Sequence, residues 1–127
     1  MQKILSAIHE LLESMAERNV FVIVEGKKDR AVLEHYGAFR IMTLSRVPLY
    51  KIVEESLRQS TTQEICILTD LDKEGKKLYG LLSTQFSLAG VRMDNRLREF
   101  LLCYTPVSHI EGLRTYLENL EERRRIG

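Results

Sequence analysis

Tryptophan is absent from the 127 residues, and only two prolines and two cysteines occur. Cys66 and Cys103 form no CxxC pair, so neither a disulfide framework nor a zinc motif is available. Cys66 stands inside the apolar run Ile65–Leu68 and reads as a small buried hydrophobe. No apolar run approaches the roughly 20 residues that a membrane-spanning helix needs. No basic start leads into an apolar stretch with a small-residue cleavage site. Repeats, low-complexity tracts and Pro/Gly/Ser-rich linkers are missing as well. These absences predict a soluble, cytoplasmic chain with no membrane partner. An excess of one charge is also missing. The net charge is +1, so the overall basic signature of a polyanion binder is lacking and such charge must be segregated locally.

Hydrophobic residues make up 44% and charged residues 29%, which excludes a disordered chain. The length suits one domain over residues 1–127. Ile4, Leu5, Ile8, Leu11, Leu12 and Met15 recur at helical spacing and predict an amphipathic helix over 2–18. Val20–Val24 and Ile65–Thr69 are short continuous apolar runs, as expected of strands buried on both faces. Phe39–Leu44 reads as another strand and Val91–Met93 as a short fourth. Between them lie helical patterns. One is capped by Asp29 and stopped by Gly37. One begins at Pro48 with an apolar stripe of Leu49, Ile52, Val53 and Leu57. One runs from about Glu74 to Ala89 with Leu78, Leu81, Leu82 and Phe86 facing inward. Asp94 is placed to cap a helix through Cys103, and Gly112–Arg125 forms a last helix. Such alternation predicts an α/β fold: a compact, mostly parallel central sheet of about four strands, flanked by helices and joined by right-handed crossovers.

Ligands of parallel sheets bind off the carboxyl ends of the strands. Glu25 ends the first predicted strand and Asp70 the third. Asp70, Asp72 and Glu74 occupy alternate positions, and alternate residues of an extended segment point to one side. Carboxylates gathered in this way repel one another unless a cation neutralises them. The expected cation is Mg²⁺, which takes oxygen ligands and keeps waters for phosphate oxygens; Mn²⁺ also fits. Gly26 and Gly75 each sit beside an acid, where the chain is expected to turn tightly and let a ligand approach the backbone. Lys27, Lys28 and Arg30, then Lys73, Lys76 and Lys77, flank the acids in sequence. A basic rim around a metal-binding acidic centre suits a phosphodiester substrate. Taken alone, the lysines equally suit a solvated helix face. His109 and Glu111 read as loop residues that reach the crevice only if the tail folds back, and Arg123–Arg125 suits the end of a helix dipole as well as an RNA backbone.

The stretch Val22-Ile23-Val24-Glu25-Gly26-Lys27-Lys28-Asp29 resembles the first motif of the Toprim family. Thr69-Asp70-Leu71-Asp72-Lys73-Glu74-Gly75 resembles its DxD motif, and one βα unit separates the two. The resemblance spans about 20–93, with a helix before it and a helical tail (94–127) after it. It implies a Rossmann-like fold, an acid/base or metal-binding role for Glu25, and Mg²⁺ binding by Asp70 and Asp72, with Glu74 as a third acid. The remainder is similar to small stand-alone Toprim proteins of archaeal type, and the first motif is most similar to that of ribosomal-RNA maturation nucleases. The implied function is Mg²⁺-dependent cleavage of phosphodiester bonds, with RNA favoured over DNA and a protein partner in an RNA-processing complex conceivable. The alternatives are a non-catalytic RNA or ribonucleoprotein binding module, and a primase-like nucleotidyl transferase working with a partner. A topoisomerase is not expected, because these 127 residues leave no room for the domain that carries its nucleophilic tyrosine.

Overall fold

The computed structural model describes residues 2–37, 39–59 and 64–126. Its elements run α1 (Gln2–Glu17), β1 (Phe21–Val24), α2 (Lys27–Tyr36), β2 (Arg40–Thr43), α3 (Leu49–Gln59), β3 (Glu64–Leu68), α4 (Lys73–Leu88), β4 (Arg92–Met93), α5 (Arg96–Tyr104), a 3-10 turn (Ile110–Gly112) and α6 (Leu113–Ile126). The strands form a parallel sheet in the order β2-β1-β3-β4. The chain goes from β1 to one neighbour and later returns to the other side of β1, so the order reverses between β1 and β3. Ile23 there pairs with Ile67 and Val24 with Leu68.

Strand period explains the continuous apolar runs. Val22, Val24, Cys66 and Leu68 point to one face and pack with α1, α2, α5 and α6 through Ile8, Leu12, Leu33, Leu101 and Leu117. Phe21, Ile23, Ile65 and Ile67 point to the other and pack with α3 and α4 through Ile52, Val53, Leu82 and Phe86. Each such side chain contributes roughly 1.5–3 kcal/mol by leaving water. These two layers fix β1 and β3 rigidly, and with them the loops that leave their carboxyl ends.

The structure corrects several local expectations. α2 begins two residues before Asp29; Gly26 is its N-cap, and Asp29 sits in the first turn, its Oδ2 accepting the Gly26 N–H at 3.0 Å. Pro48 precedes α3 instead of starting it. Asp94 stands one residue before the N-cap Asn95, although its Oδ1 accepts the Arg96 backbone N–H at 3.2 Å. Leu57 and Leu81 are 42% and 48% exposed, so the inward stripes of α3 and α4 are narrower than drawn from periodicity.

Candidate metal centre and its crevice

Glu25 follows β1 and Asp70 follows β3, on neighbouring strands at the point where the strand order reverses. Glu25 Oε2 accepts the Asp70 backbone N–H at 2.7 Å and so ties the two loops together. The segment after α5 folds back over them. Leu71 N–H donates to the Ser108 carbonyl at 2.8 Å, and Ile110 N–H donates to Asp70 Oδ1 at 2.8 Å. This return places His109 Nδ1 3.3 Å from Asp70 Oδ2 and 3.5 Å from Asp72 Oδ2. Each aspartate uses its other oxygen structurally: Asp70 Oδ1 for Ile110, and Asp72 Oδ1 for the Gly75 N–H at 2.8 Å, the N-cap of α4. One ligand atom from each of Asp70, Asp72 and His109 falls within 4.8 Å of the others.

The loop that carries the aspartates is held from beneath. Thr69 Oγ1 donates to the Gly75 carbonyl at 2.6 Å. Arg98 on α5 is 3% exposed; its Nη1 donates to the Thr69 carbonyl at 2.6 Å and its Nη2 to the Asp70 carbonyl at 3.1 Å. Its guanidinium lies 4.6 Å from the Tyr79 ring centroid, a cation–π contact. The Arg98 charge meets carbonyl dipoles and a ring, with no carboxylate ion pair among the described residues. Burial holds its pKa below the ordinary value, opposed by Tyr79 and other acidic groups nearby. At Gly75 a Cβ would fall 1.9 Å from the Asp70 carbonyl oxygen, so glycine is required by close backbone approach.

A crevice of about 600 Å³ opens over the site, lined by Glu25, Lys27, Lys28, Asp29, Asp70, His109 and Glu111. Burial pushes the Glu25 carboxyl above its ordinary value, and repulsion from Asp70, Asp29 and Asp72 adds to this against the Asp70 N–H hydrogen bond. Burial likewise raises Asp29, together with the charges of Asp70 and Glu111, although the Gly26 and Glu111 backbone amides work the other way. Among the described residues no lysine or arginine forms an ion pair with Glu25, Asp70 or Asp72. Carboxylate oxygens and an imidazole nitrogen, close together and not neutralised by a protein cation, are a donor set that fits a divalent metal.

The structure places Glu25, Asp70 and Asp72 near one another. Glu74 lies exposed on the first turn of α4 and is not among the converging ligand atoms; there it complements the helix dipole. Of the expected basic rim, Lys27 and Lys28 line the crevice. Lys73, Lys76 and Lys77 share one exposed face of α4, and Arg30 is exposed and pairs with Glu34 at 3.7 Å. At Gly26 the chain bends into α2 with an extended backbone, φ −150°, and a Cβ there would meet nothing within 4 Å, so no close approach requires glycine. His109 enters the site from the loop before the 3-10 turn, Asp29 proves to be a crevice acid as well as a helix-start residue, and Arg98 had no local signal at all.

The Toprim domain model matches residues 20–100, so the match reaches into α5 and includes Arg98. A UPF0292 protein of Methanocaldococcus jannaschii is 30% identical over 119 residues, covering 91% of each chain. One from Methanosarcina barkeri is 33% identical, covering 94% of this chain and 86% of its own. One from Pyrococcus abyssi is 35% identical, covering 72% and 67%. A solved structure of an Aquifex aeolicus protein superposes with a TM-score of 0.72 at 24% identity, over 84% of this chain and 95% of that one, which is a likeness of fold. Motif acids at the strand-order reversal, a Rossmann-like parallel sheet and these matches agree: the chain belongs to the Toprim family, whose domains bind divalent metals and process nucleic acids.

Proposed function

We propose that this protein is a Mg²⁺-dependent nuclease that hydrolyses phosphodiester bonds, with RNA favoured as substrate. The observation that carries this is the convergence of Asp70, Asp72 and His109 ligand atoms in the crevice that Glu25, Lys27 and Lys28 also line. Asp70 and Asp72 hold the metal, with His109 as a further ligand whose imidazole makes Mn²⁺ a good substitute. A divalent ion there supplies Lewis-acid stabilisation of phosphoryl charge and makes nearby water more acidic. Lys27 and Lys28 bind the flanking phosphates as point charges. Glu25, oriented by the Asp70 N–H, accepts the proton of the attacking water. Burial raises its proton affinity, the direction that makes a carboxylate a stronger base. As the water oxygen bonds to phosphorus, the phosphorus–oxygen bond to the departing sugar breaks and that oxygen takes a proton from solvent. The preference for RNA rests on the likeness of Glu25-Gly26-Lys27-Lys28-Asp29 to the first motif of ribosomal-RNA maturation nucleases.

The test is incubation of labelled structured RNA and single-stranded DNA with Mg²⁺, Mn²⁺ or EDTA, beside Glu25→Gln and Asp70→Asn. Cleavage is expected with metal only, faster on RNA. Glu25→Gln should lower it by roughly 10²–10⁴-fold, and Asp70→Asn should abolish it. Cleavage that is absent, or that survives both changes, overturns the proposal. Nucleotide incorporation on a primed template would point to a transferase, and binding without turnover to a binding module. His109→Ala should weaken Mn²⁺ binding, followed by calorimetry, by about 10–100-fold.

A further inference from the structure

Glu25 lies in the wall of two cavities. One is the acidic crevice. The other, of about 410 Å³, lies on the β2–α3 side and is lined by Leu44, Arg46, Val47, Pro48, Leu49 and Leu78. That volume falls within the range of small-ligand sites, and the lining is aliphatic apart from a few polar groups. Its outer wall is the turn Leu44–Val47, closed by Val47 N–H donating to the Leu44 carbonyl at 2.8 Å. Leu44 N–H donates to the Val24 carbonyl at 2.9 Å and Ser45 N–H to the Glu25 carbonyl at 3.3 Å, so the turn is fastened to the backbone that carries Glu25. Ser45 and Arg46 both adopt left-handed conformations, φ 38° and 64°, without being glycine. Such conformations disfavour residues that carry a Cβ. Arg46 is exposed, and among the described residues no acid pairs with its guanidinium.

We infer that this second cavity seats the nucleoside next to the scissile phosphate of a single-stranded substrate, with Arg46 binding that nucleotide's own phosphate. The inference rests on the nuclease proposal for the position of the scissile phosphate, since only then is Glu25 the boundary between reacting and flanking units. The apolar faces of a base suit the aliphatic walls of Leu44, Val47 and Leu78. A phosphate suits the fork of an arginine with no partner of its own. A duplex holds its bases stacked and paired inside, so a base seated in this cavity has left its partner. The substrate is therefore single-stranded where it is cut.

The test uses the full chain in EDTA, so that binding is read without cleavage. A 5′-fluorescein tetranucleotide is followed by anisotropy, and adenosine 5′-monophosphate by amide shifts in ¹H–¹⁵N spectra. Expected are shifts at Leu44–Val47, Leu49 and Leu78, binding of the tetranucleotide about tenfold or more tighter than of the mononucleotide, and a loss of about tenfold in Arg46→Gly, as for one charge-assisted phosphate contact. Arg46→Gly relieves the left-handed strain, so its melting temperature should equal or exceed that of the parent and a binding loss is not a folding loss. Val47→Glu, at an exposed wall position, should weaken binding as well. Shifts confined to Lys27 and Lys28, equal affinity for the two ligands, or unchanged binding by Arg46→Gly overturn the inference. If these shifts and losses appear but RNA is never cut, the cavity stands and the nuclease proposal falls. If RNA is cut and Arg46→Gly binds and cuts as the parent does, the reverse holds.

Discussion

Gly75 has no space for a side chain, and Gly26, its apparent counterpart beside the other acid, has ample space. Gly75→Ala must push α4 or the Asp70 carbonyl aside. A cost of about 1–3 kcal/mol is expected in urea denaturation, with weakened Mn²⁺ binding because Asp70 moves with its backbone. Gly26→Ala should lose less, since only its N-cap preference changes. Glu25 invites a different experiment. Its carboxyl is held above the ordinary value of 4.5 by burial first and by its acidic neighbours second. A raised folded-state value means that the folded protein holds this proton more tightly than the unfolded chain does, so ionisation at neutral pH opposes folding. Glu25→Gln keeps an acceptor for the Asp70 N–H and removes the charge. Metal-free Glu25→Gln is expected to melt no lower than the parent at neutral pH, and the difference should shrink as pH falls toward 4.5. A lower melting temperature at neutral pH would mean that the charge is compensated by something other than a bound metal.

At the scale of elements, α5 acts on the site from below. Arg98 links the β3–α4 loop to α5 through carbonyls of the loop, and those acceptors lose their donors if the side chain is shortened or made apolar. Arg98→Met should cost about 2–4 kcal/mol in urea denaturation. Arg98→Lys should recover only part of this, because a point charge cannot reproduce a planar fork across several carbonyls. The strands, their order of appearance and the motif acids were legible because period-two burial and strand-end placement are local properties of the sequence. The roles of Arg98 and His109 were not. Arg98 lies 28 residues from the Asp70 it supports, and His109 is delivered by the neighbouring Ile110 N–H donating to the Asp70 carboxylate 40 residues away, so no window of sequence contains either relation. For the α4 lysines, nearness in sequence to the acids says little about direction, which the helical period sets: the three share one exposed face.

For the whole molecule, the acids divide into two groups with opposite pH dependence. The end of the sheet away from the crevice is fastened by Arg18, whose guanidinium donates to Glu64 and to Asp94 Oδ2 at 2.6 Å each. Burial alone would raise the Asp94 carboxyl, but hydrogen bonds from Arg96 and Arg18 outweigh it and hold it below its ordinary value of 3.8. A depressed value contributes stability above 3.8 that is lost as pH falls through the lower folded-state value. Glu25 and Asp29 are raised and do the reverse, so folding gains as they take up protons. Metal-free protein is therefore expected to be most stable at mildly acidic pH. It should weaken toward neutrality and again below 3.8, and Asp94→Asn should remove much of the acid limb in melts recorded across that range.

Asp70 is fixed by a residue made 40 positions later in synthesis. Until Ile110 has been added and the tail has folded back, Asp70 Oδ1 lacks its clamp and His109 is not beside the aspartates. A partly synthesised chain thus carries its acids without the arrangement that would make them a site, and the assembled centre belongs only to a chain that has folded its tail home.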